Sequence, residues 1–433
     1  MGKAQRVWYG IIVLTLVPVV LWFMAPTFLP RFSGGVEGVS TDLSRLLALI
    51  GTSMFAINLI LSARIPFLIR GLRGLHVLYE KHGKLGRYGF YLLLLHPILL
   101  IPQYAGWDFS SIVHFIFSIE PISRLWGKLA LLTFVVLIAL TIYFRPKYHI
   151  WRWTHRFMGL AFFLASLHVY FIPSDVAAYA PLRWYMLILS GLGLLAYLYH
   201  TLLGRWLIHR YTYVVTHVEN LRDMVTHLVL RPQEKEMHFL PGQFIFISFR
   251  DAQVSGEVHP FSITADPQAS ELSLHIKRSG DFTNGLHRLA LGATAEIEGP
   301  YGTFSHQLAQ AKEQVWIAGG IGITPFLSMA QALVHEQGYS IDLLYCTRSS
   351  ADAVLAQDLE SLSKSTHEQL RVQMWCSEEK GLVTGAQIQQ LLSSLEGRDI
   401  FICAPPPMIR ALRKQLRALG IENSRIHSEE FSY

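Results

Sequence analysis

The sequence predicts a six-helix membrane bundle followed by a soluble module, itself an antiparallel β-barrel and then an α/β domain. Three observations predict it. Long apolar runs are confined to the first half of the 433-residue chain. Short β-rich segments separated by turn signals fill the stretch after Tyr211, and strand and helix alternate after Lys312. The boundaries fall at 1–208 for the bundle, 209–310 for the barrel and 311–433 for the α/β domain.

Composition narrows the classes. Hydrophobic residues make up 51% and charged residues 16%, against about 25% charged in ordinary soluble domains. The net charge is +6, but many basic residues sit between apolar runs instead of on one soluble face. That pattern marks membrane topology and argues against nucleic acid as a partner. Cys346, Cys376 and Cys403 form no CxxC pair, so neither a disulfide nor a zinc site is expected. The first run, from Val7, lacks a small-residue cleavage site and reads as a retained anchor.

The six runs are Val7–Leu29, Leu43–Leu61, Leu85–Ile101, Leu125–Phe144, Phe157–Ile172 and Leu182–Leu203. Most reach the roughly 20 residues that a span needs. The third and fifth are short, which suggests earlier starts and an interior place. Basic residues gather before the first run, between the second and third, between the fourth and fifth, and after the sixth. The alternate loops hold Asp42, Asp108, Glu120 and Asp175, with Arg31 and Arg124 as exceptions. The positive-inside rule then places both termini and the soluble half in the cytoplasm of a multi-pass protein of the plasma or inner membrane.

Four histidines stand in apolar surroundings: His82 and His96 in the third run's segment, His155 and His168 in the fifth's. At about 1.5 Å rise per residue, fourteen positions span roughly 21 Å and thirteen roughly 20 Å. Both spans fit a hydrocarbon core of about 30 Å. Depth pairs His82 with His155 and His96 with His168. A single such histidine is an ordinary core residue; two facing pairs at matched depths suit flat iron porphyrins gripped between imidazoles, which makes these four the candidate metal ligands. At about 100° per residue, fourteen steps leave His96 about 40° from His82, while thirteen leave His168 about 140° from His155. A π-bulge, kink or helix crossing is therefore expected between His155 and His168. Arg45 opens the second run at its outer end. A haem propionate, an anionic product or the outer headgroups are its candidate partners.

In the soluble half, strands are expected at Tyr213–Val215, Val225–Leu230, Ile245–Phe249 and Leu272–Ile276, and later at Val315–Ala318, Ile341–Cys346, Arg371–Trp375 and Ile400–Cys403. Three stretches carry chemistry. His259-Pro260-Phe261-Ser262-Ile263-Thr264, after Pro241-Gly-Gln-Phe244, puts an aromatic between hydroxyls on a strand, which suits stacking on a flavin ring. His275-Ile-Lys277-Arg-Ser-Gly280-Asp-Phe-Thr283-Asn-Gly285 offers cations and free backbone N–H groups to a pyrophosphate. Gly319-Gly320-Ile-Gly322-Ile-Thr324-Pro325 joins an apolar strand to a helix, the setting of a dinucleotide loop. It departs from GxGxxG, and Pro325 is expected in the first helical turn. An ordinary strand or turn would account for any one of these motifs taken singly. Arg348 is a candidate for the 2′-phosphate of NADPH, Cys403 for the nicotinamide side, and Phe431 for covering the flavin.

Together these stretches resemble the NADPH oxidase and ferric reductase flavocytochromes over nearly the whole chain. The resemblance rests on the four histidines, His259–Thr264, His275–Gly285, Gly299-Pro-Tyr-Gly302, Gly319–Phe326 and Cys403–Met408. It implies two bis-histidine b-type haems, an FAD site at Pro260–Thr264 with Lys277 and Gly280–Thr283 on the pyrophosphate side, and a ferredoxin-reductase-like FAD and NAD(P) module. It also implies electron flow from cytoplasmic NADPH or NADH through FAD and both haems to an extracytoplasmic acceptor. Twelve residues lie between His155 and His168, the oxidase spacing where reductases usually keep thirteen, so molecular oxygen and a superoxide product are expected. A ferric chelate is the rival acceptor, and a haem subunit serving a partner protein is a third reading. Arg45 corresponds to an arginine beside the outer haem. Two positions depart from the family: Leu100 replaces a second outer histidine, and Ala404 replaces the glycine after the cysteine. The short polar N-terminus leads to the expectation of no obligatory regulatory subunit.

Overall fold

The structure is a computed structural model that describes residues 3–26, 31–71, 75–144, 148–203, 209–392 and 394–430. The chain divides into two compact units, Met1–Ile208 and His209–Tyr433.

The first unit is helical. Among the described residues, five helices are long and apolar enough to cross a membrane: Arg6–Met24, Gly35–Ser62, Val77–Ala105, Ile122–Ala139 and Ala180–Thr201. Of the six expected spans, the fifth run falls short of that length among the described residues. That run forms the helix Met158–Phe171, of 14 residues, and a break separates it from the preceding helix Tyr148–His155. Arg156 N bonds Trp153 O at 3.3 Å and Phe157 N bonds Thr154 O at 3.0 Å, so the chain tightens to i→i−3 pairing at the break. This is the irregularity expected between His155 and His168. The third helix starts ahead of its apolar run, at Leu75, and so contains both His82 and His96. Two short π-helical segments, Leu140–Phe144 and Leu198–Leu202, follow the helices Ile122–Ala139 and Ala180–Tyr197.

Small residues let these helices approach closely, because packing rather than hydrophobic expulsion holds helices together in lipid. A Cβ on Gly51 would meet the Leu93 side chain at 2.8 Å, one on Gly86 would meet Asn58 Nδ2 at 3.1 Å, and one on Gly193 the Ala56 backbone at 2.9 Å. The helix Gly35–Ser62 is accordingly the most buried of the five.

The second unit holds two sheets. Strands β1 (Tyr211–Leu221), β2 (Val225–Pro232), β3 (Phe244–Arg250), β4 (His259–Ser262), β5 (Leu272–Lys277) and β6 (Thr294–Tyr301) form one antiparallel sheet in the order β4-β3-β6-β1-β2-β5. Alternation along β2 and β5 buries Leu228, Leu230, Leu272 and Leu274 with Ile245, Ile247 and Ile297. The expected barrel is not closed by a ladder. Its edge strands β4 and β5 meet through the bond from Thr264 N to Ser273 O, 2.8 Å, because β4 ends at Ser262.

Strands β7 (Glu313–Gly319), β8 (Ser340–Thr347), β9 (Leu370–Cys376), β10 (Asp399–Cys403) and β11 (Ile426–Glu429) form a parallel sheet in the order β11-β10-β7-β8-β9. Helices cover both faces, so β7 and β10 read as unbroken apolar runs. Trp316 and Ala318 enter one core, Val315 and Ile317 the other. At one end of the sheet Asp342 takes 2.7 and 3.0 Å bonds from Arg371 and a 2.5 Å bond from Arg398, whose side chain is only 8% exposed. Burial opposes ionisation of Asp342, but the two guanidiniums win and hold its pKa below the usual carboxylate value. Asp342→Ala would leave Arg398 buried without its counter-charge. The expected loss is about 3–5 kcal/mol, read by urea unfolding of this unit followed by its tryptophan fluorescence.

Candidate functional site

The four apolar histidines lie in two places. His82 and His155 face each other with ring centres 6.1 Å apart and planes at 65°. At roughly 2 Å per metal–nitrogen bond, two imidazoles on opposite sides of one metal keep their centres roughly 6 Å apart. His96 and His168 stand close enough to interact electrostatically.

Neighbouring helices fix three of the four rings. His82 Nδ1 is 3.2 Å from Asn58 O, His96 Nδ1 is 3.0 Å from Ser44 O, and His168 Nδ1 is 2.7 Å from Ser123 O. A carbonyl only accepts, so each Nδ1 carries the proton and donates it. The Nε2 lone pair is left free, the form of imidazole that binds a metal. Ser44 adds a second clamp, its hydroxyl 2.8 Å from His96 Nδ1 and donating to His96 O at 2.7 Å. His155 Nδ1 is buried with no partner among the described residues, and its ring stacks on Trp151 at 5.1 Å. Gly127 makes room for His168: a Cβ there would lie 3.0 Å from the imidazole. The ring separation of His82 and His155 fits an iron porphyrin between them, and three of the four imidazoles are held in the tautomer that leaves Nε2 for a metal.

Arg45 has two carboxylates as neighbours. Its guanidinium lies 3.2 Å from Asp175 and 3.6 Å from Asp42. Asp175 also accepts from Trp22 Nε1 at 2.7 Å and lies 3.6 Å from Arg31. Arg45 therefore belongs to a polar knot tying the ends of three helices.

In the second unit, β4 presents His259, Pro260, Phe261 and Ser262 opposite β3, with Pro260 and Ser262 buried and Phe261 half-buried. The His259 ring stacks on Phe282 at 4.1 Å. Thr264 bonds the Ser273 hydroxyl at 3.1 Å and His275 Nδ1 at 2.9 Å. Burial first, then the neighbouring His227, pushes His275 down to about 3, so it is neutral at physiological pH. Lys277 ends β5 exposed. One expectation is corrected at the adjoining turn. The amides of Ser279 and Gly280 are not free, because both donate to Thr283 Oγ1, at 2.9 and 3.1 Å.

The glycine loop follows β7 as expected. Gly319 ends the strand, Gly320 takes φ +57°, and Thr324 and Pro325 open the helix Thr324–Leu333. A Cβ on Gly322 would sit 2.1 Å from Cys403 O, and one on Gly319 would sit 2.7 Å from Ala404 Cβ. The loop is thus seated on the end of β10, where Cys403 is buried. Arg348 is exposed and bonds Glu378 at 3.0 Å. Phe431 lies outside the described residues.

Sequence reading missed Glu429. Parallel pairing of β10 with β11 sets it beside Cys403, and its Oε1 lies within 3.6 Å of where a Gly302 Cβ would be. It is buried, Oε2 has no partner among the described residues, and burial pushes its pKa up to about 8. The signal was a glutamate closing the short apolar-to-polar strand Ile426–Glu429. A carboxyl raised in the folded state stabilises below its unfolded pKa near 4.5, and that stability drains away as pH rises through 8. Glu429→Gln should remove the drain. Its melting temperature should match wild type at pH 5 and exceed it at pH 9, by a margin worth a few kcal/mol. Parallel melting curves would dispose of this.

Comparison with known proteins agrees with this layout. Residues 47–166 match the ferric reductase like transmembrane component, residues 210–315 an FAD-binding domain and residues 316–414 an oxidoreductase NAD-binding domain. The ferredoxin reductase component of 3-ketosteroid-9-alpha-monooxygenase from Mycobacterium tuberculosis (strain CDC 1551 / Oshkosh) is 26% identical over 201 residues, 46% of this chain and 56% of that protein. The flavohemoprotein of Rhodopirellula baltica is 27% identical over 245 residues, 51% of this chain and 60% of that one. The chain therefore spans 56% and 60% of the length of these two curated relatives. A flavohemoglobin from Malassezia yamatoensis, solved with bound FAD and heme, aligns over 93% of this chain and 100% of its own with a TM-score of 0.51 and 19% identity, a likeness of fold alone. A membrane-type helical domain followed by a ferredoxin-reductase-like module with FAD-binding and NAD-binding domains is the architecture of the NADPH oxidase and ferric reductase flavocytochrome superfamily, and the chain has it.

Proposed function

We propose that the protein is a transmembrane NAD(P)H oxidase, taking electrons from cytoplasmic NAD(P)H and delivering them singly to oxygen on the far side of the membrane, with superoxide as product. The observation that carries the reading is the arrangement of His82, His96, His155 and His168. Three of them donate Nδ1–H to a helix carbonyl, and one pair stands 6.1 Å apart. The bound groups supply the redox chemistry: FAD converts a hydride into single electrons and two b-type haems relay them.

The chain's own residues do the positioning. Asn58, Ser44 and Ser123 orient the imidazoles of His82, His96 and His168, which with His155 would hold the haems. Phe261, Ser262 and Thr264 hold the flavin. Gly319, Gly320, Gly322, Thr324 and Pro325 seat the dinucleotide, with Arg348 free to trade Glu378 for a 2′-phosphate. Cys403 and a protonated Glu429 bound the hydride-transfer end, where a neutral carboxyl adds no charge repelling the cofactor.

A second reading, ferric-chelate reduction by the same route, is favoured by a specific feature. A cavity of about 370 Å³ is lined by Tyr104, Ser110, Ser111, His114, Ser118, Glu120 and Arg124. Arg124 follows Ser123, whose carbonyl orients His168, and Lys128 reaches Ser118 O at 2.7 Å. Phe115 completes a lining of hydroxyls, one acid and one arginine, and with Lys128 beside Ser118 the recess would suit an anionic chelate. NAD(P)H-driven cytochrome c reduction by the purified protein in nanodiscs decides between the two. Loss of most of that signal on adding superoxide dismutase supports the oxidase. Insensitivity to dismutase with fast reduction of chelated iron replaces it with the reductase.

A further inference from the structure

A second group of imidazoles lies on the antiparallel sheet. Glu219 on β1 is directly opposite His227 on β2, and His217 lies two residues before Glu219. Strand periodicity puts His217 and Glu219 on one face, and cross-strand pairing brings His227 alongside them. Glu219 Oε2 is 3.6 Å from His217 Nε2 and 3.6 Å from His227 Nδ1, and the three donor atoms all lie within 4.8 Å of one another.

The ring of His227 is held from behind. Its Nε2 lies 3.0 Å from the Ser273 hydroxyl on β5, which also accepts from Thr264. When Nε2–H donates there, the Nδ1 lone pair faces the cluster. A metal-binding histidine is held in the same way by a hydrogen bond to its other nitrogen. The His227 ring is further braced by stacking on His275, 4.2 Å between centres and 7° between planes. Asp358 adds negative charge near His227 and Glu219.

The geometry points to a divalent transition-metal site at His217, Glu219 and His227, for an ion of the zinc, nickel or copper class. Two imidazole nitrogens and one carboxylate oxygen match that class and not calcium or magnesium, which take oxygen donors. At about 2.0–2.2 Å per bond, donors around one tetrahedral ion stand roughly 3.3 Å apart, so small rotamer adjustments close the 3.6 Å pairs. One or two positions remain for water. All three side chains reach solvent, which gives an ion a path in. The cysteines take no part in it.

The test is zinc titration of the full-length, chelator-stripped protein in nanodiscs by calorimetry, with X-ray absorption at the zinc edge. One ion per chain is expected in the tightest class, with a first shell of nitrogen and oxygen only. His217→Ala and His227→Ala should each weaken it about tenfold or more, Glu219→Gln should weaken it too, and His287→Ala, an exposed histidine outside the cluster, should leave it unchanged. Retained bound-flavin absorbance checks that the variants fold. Absence of stoichiometric binding, equal affinity in the two His→Ala variants, or sulfur in the first shell would each overturn the proposal.

Discussion

Replacing His96 with alanine should take the purified protein from two low-spin b-type haems to one or none. The reduced-minus-oxidised spectrum and a haem assay read this directly. The argument is local. His96 donates Nδ1–H to Ser44 O and is clamped again by the Ser44 hydroxyl, so its Nε2 is the only free donor on that side of the pair with His168. An alanine would remove that donor and leave His168 as the imidazole offered to a haem there. Electron delivery to the external acceptor should fall by about 100-fold or more, since misplacement of a reacting group by about 1 Å alone can cost that much. NAD(P)H-driven reduction of the flavin should be untouched. An unchanged haem count in His96→Ala would refute the ligand assignment; a lost flavin signal would mean that the variant had merely failed to fold.

Gly322→Ala should have the opposite signature. The new Cβ would lie 2.1 Å from Cys403 O and 2.7 Å from Cys403 C, both backbone atoms. Neither can swing aside as a side chain would, so the loop must lift from the end of β10. NAD(P)H-driven flavin reduction in stopped flow should drop by about 100-fold or more, while dithionite still reduces the haems fully and the flavin stays bound. Wild-type kinetics in this variant would show that the loop does not seat the nicotinamide cofactor. The two variants thus separate the entry of electrons from their exit.

Much of this was legible beforehand because the signals were periodic. Apolar runs, the glycine loop after an apolar strand and the histidine spacing all survive in the structure. Angular arithmetic on thirteen steps pointed to an irregularity before His168, and the break after His155 supplies it. What periodicity does not carry was lost. The run Phe157–Ile172 was expected to start earlier, but hydrogen bonding tightened at Arg156 and Phe157 breaks the helix there. Glu429 meets Cys403, and Glu219 meets His227, only through strand pairing, which a linear pattern does not encode. The amides near Gly280 looked free because a threonine three residues on gives no linear sign that it will turn back to cap them.

The helix Gly35–Ser62 carries a further implication. Ser44 and Asn58, whose carbonyls hold His96 and His82, are separated by the same number of positions as the two histidines, and the helices run antiparallel. The inner helix therefore works as a ruler laid against its neighbour. A slip by a single residue would unhook both rings at once, so the spacing of the two imidazoles is written in the polypeptide itself.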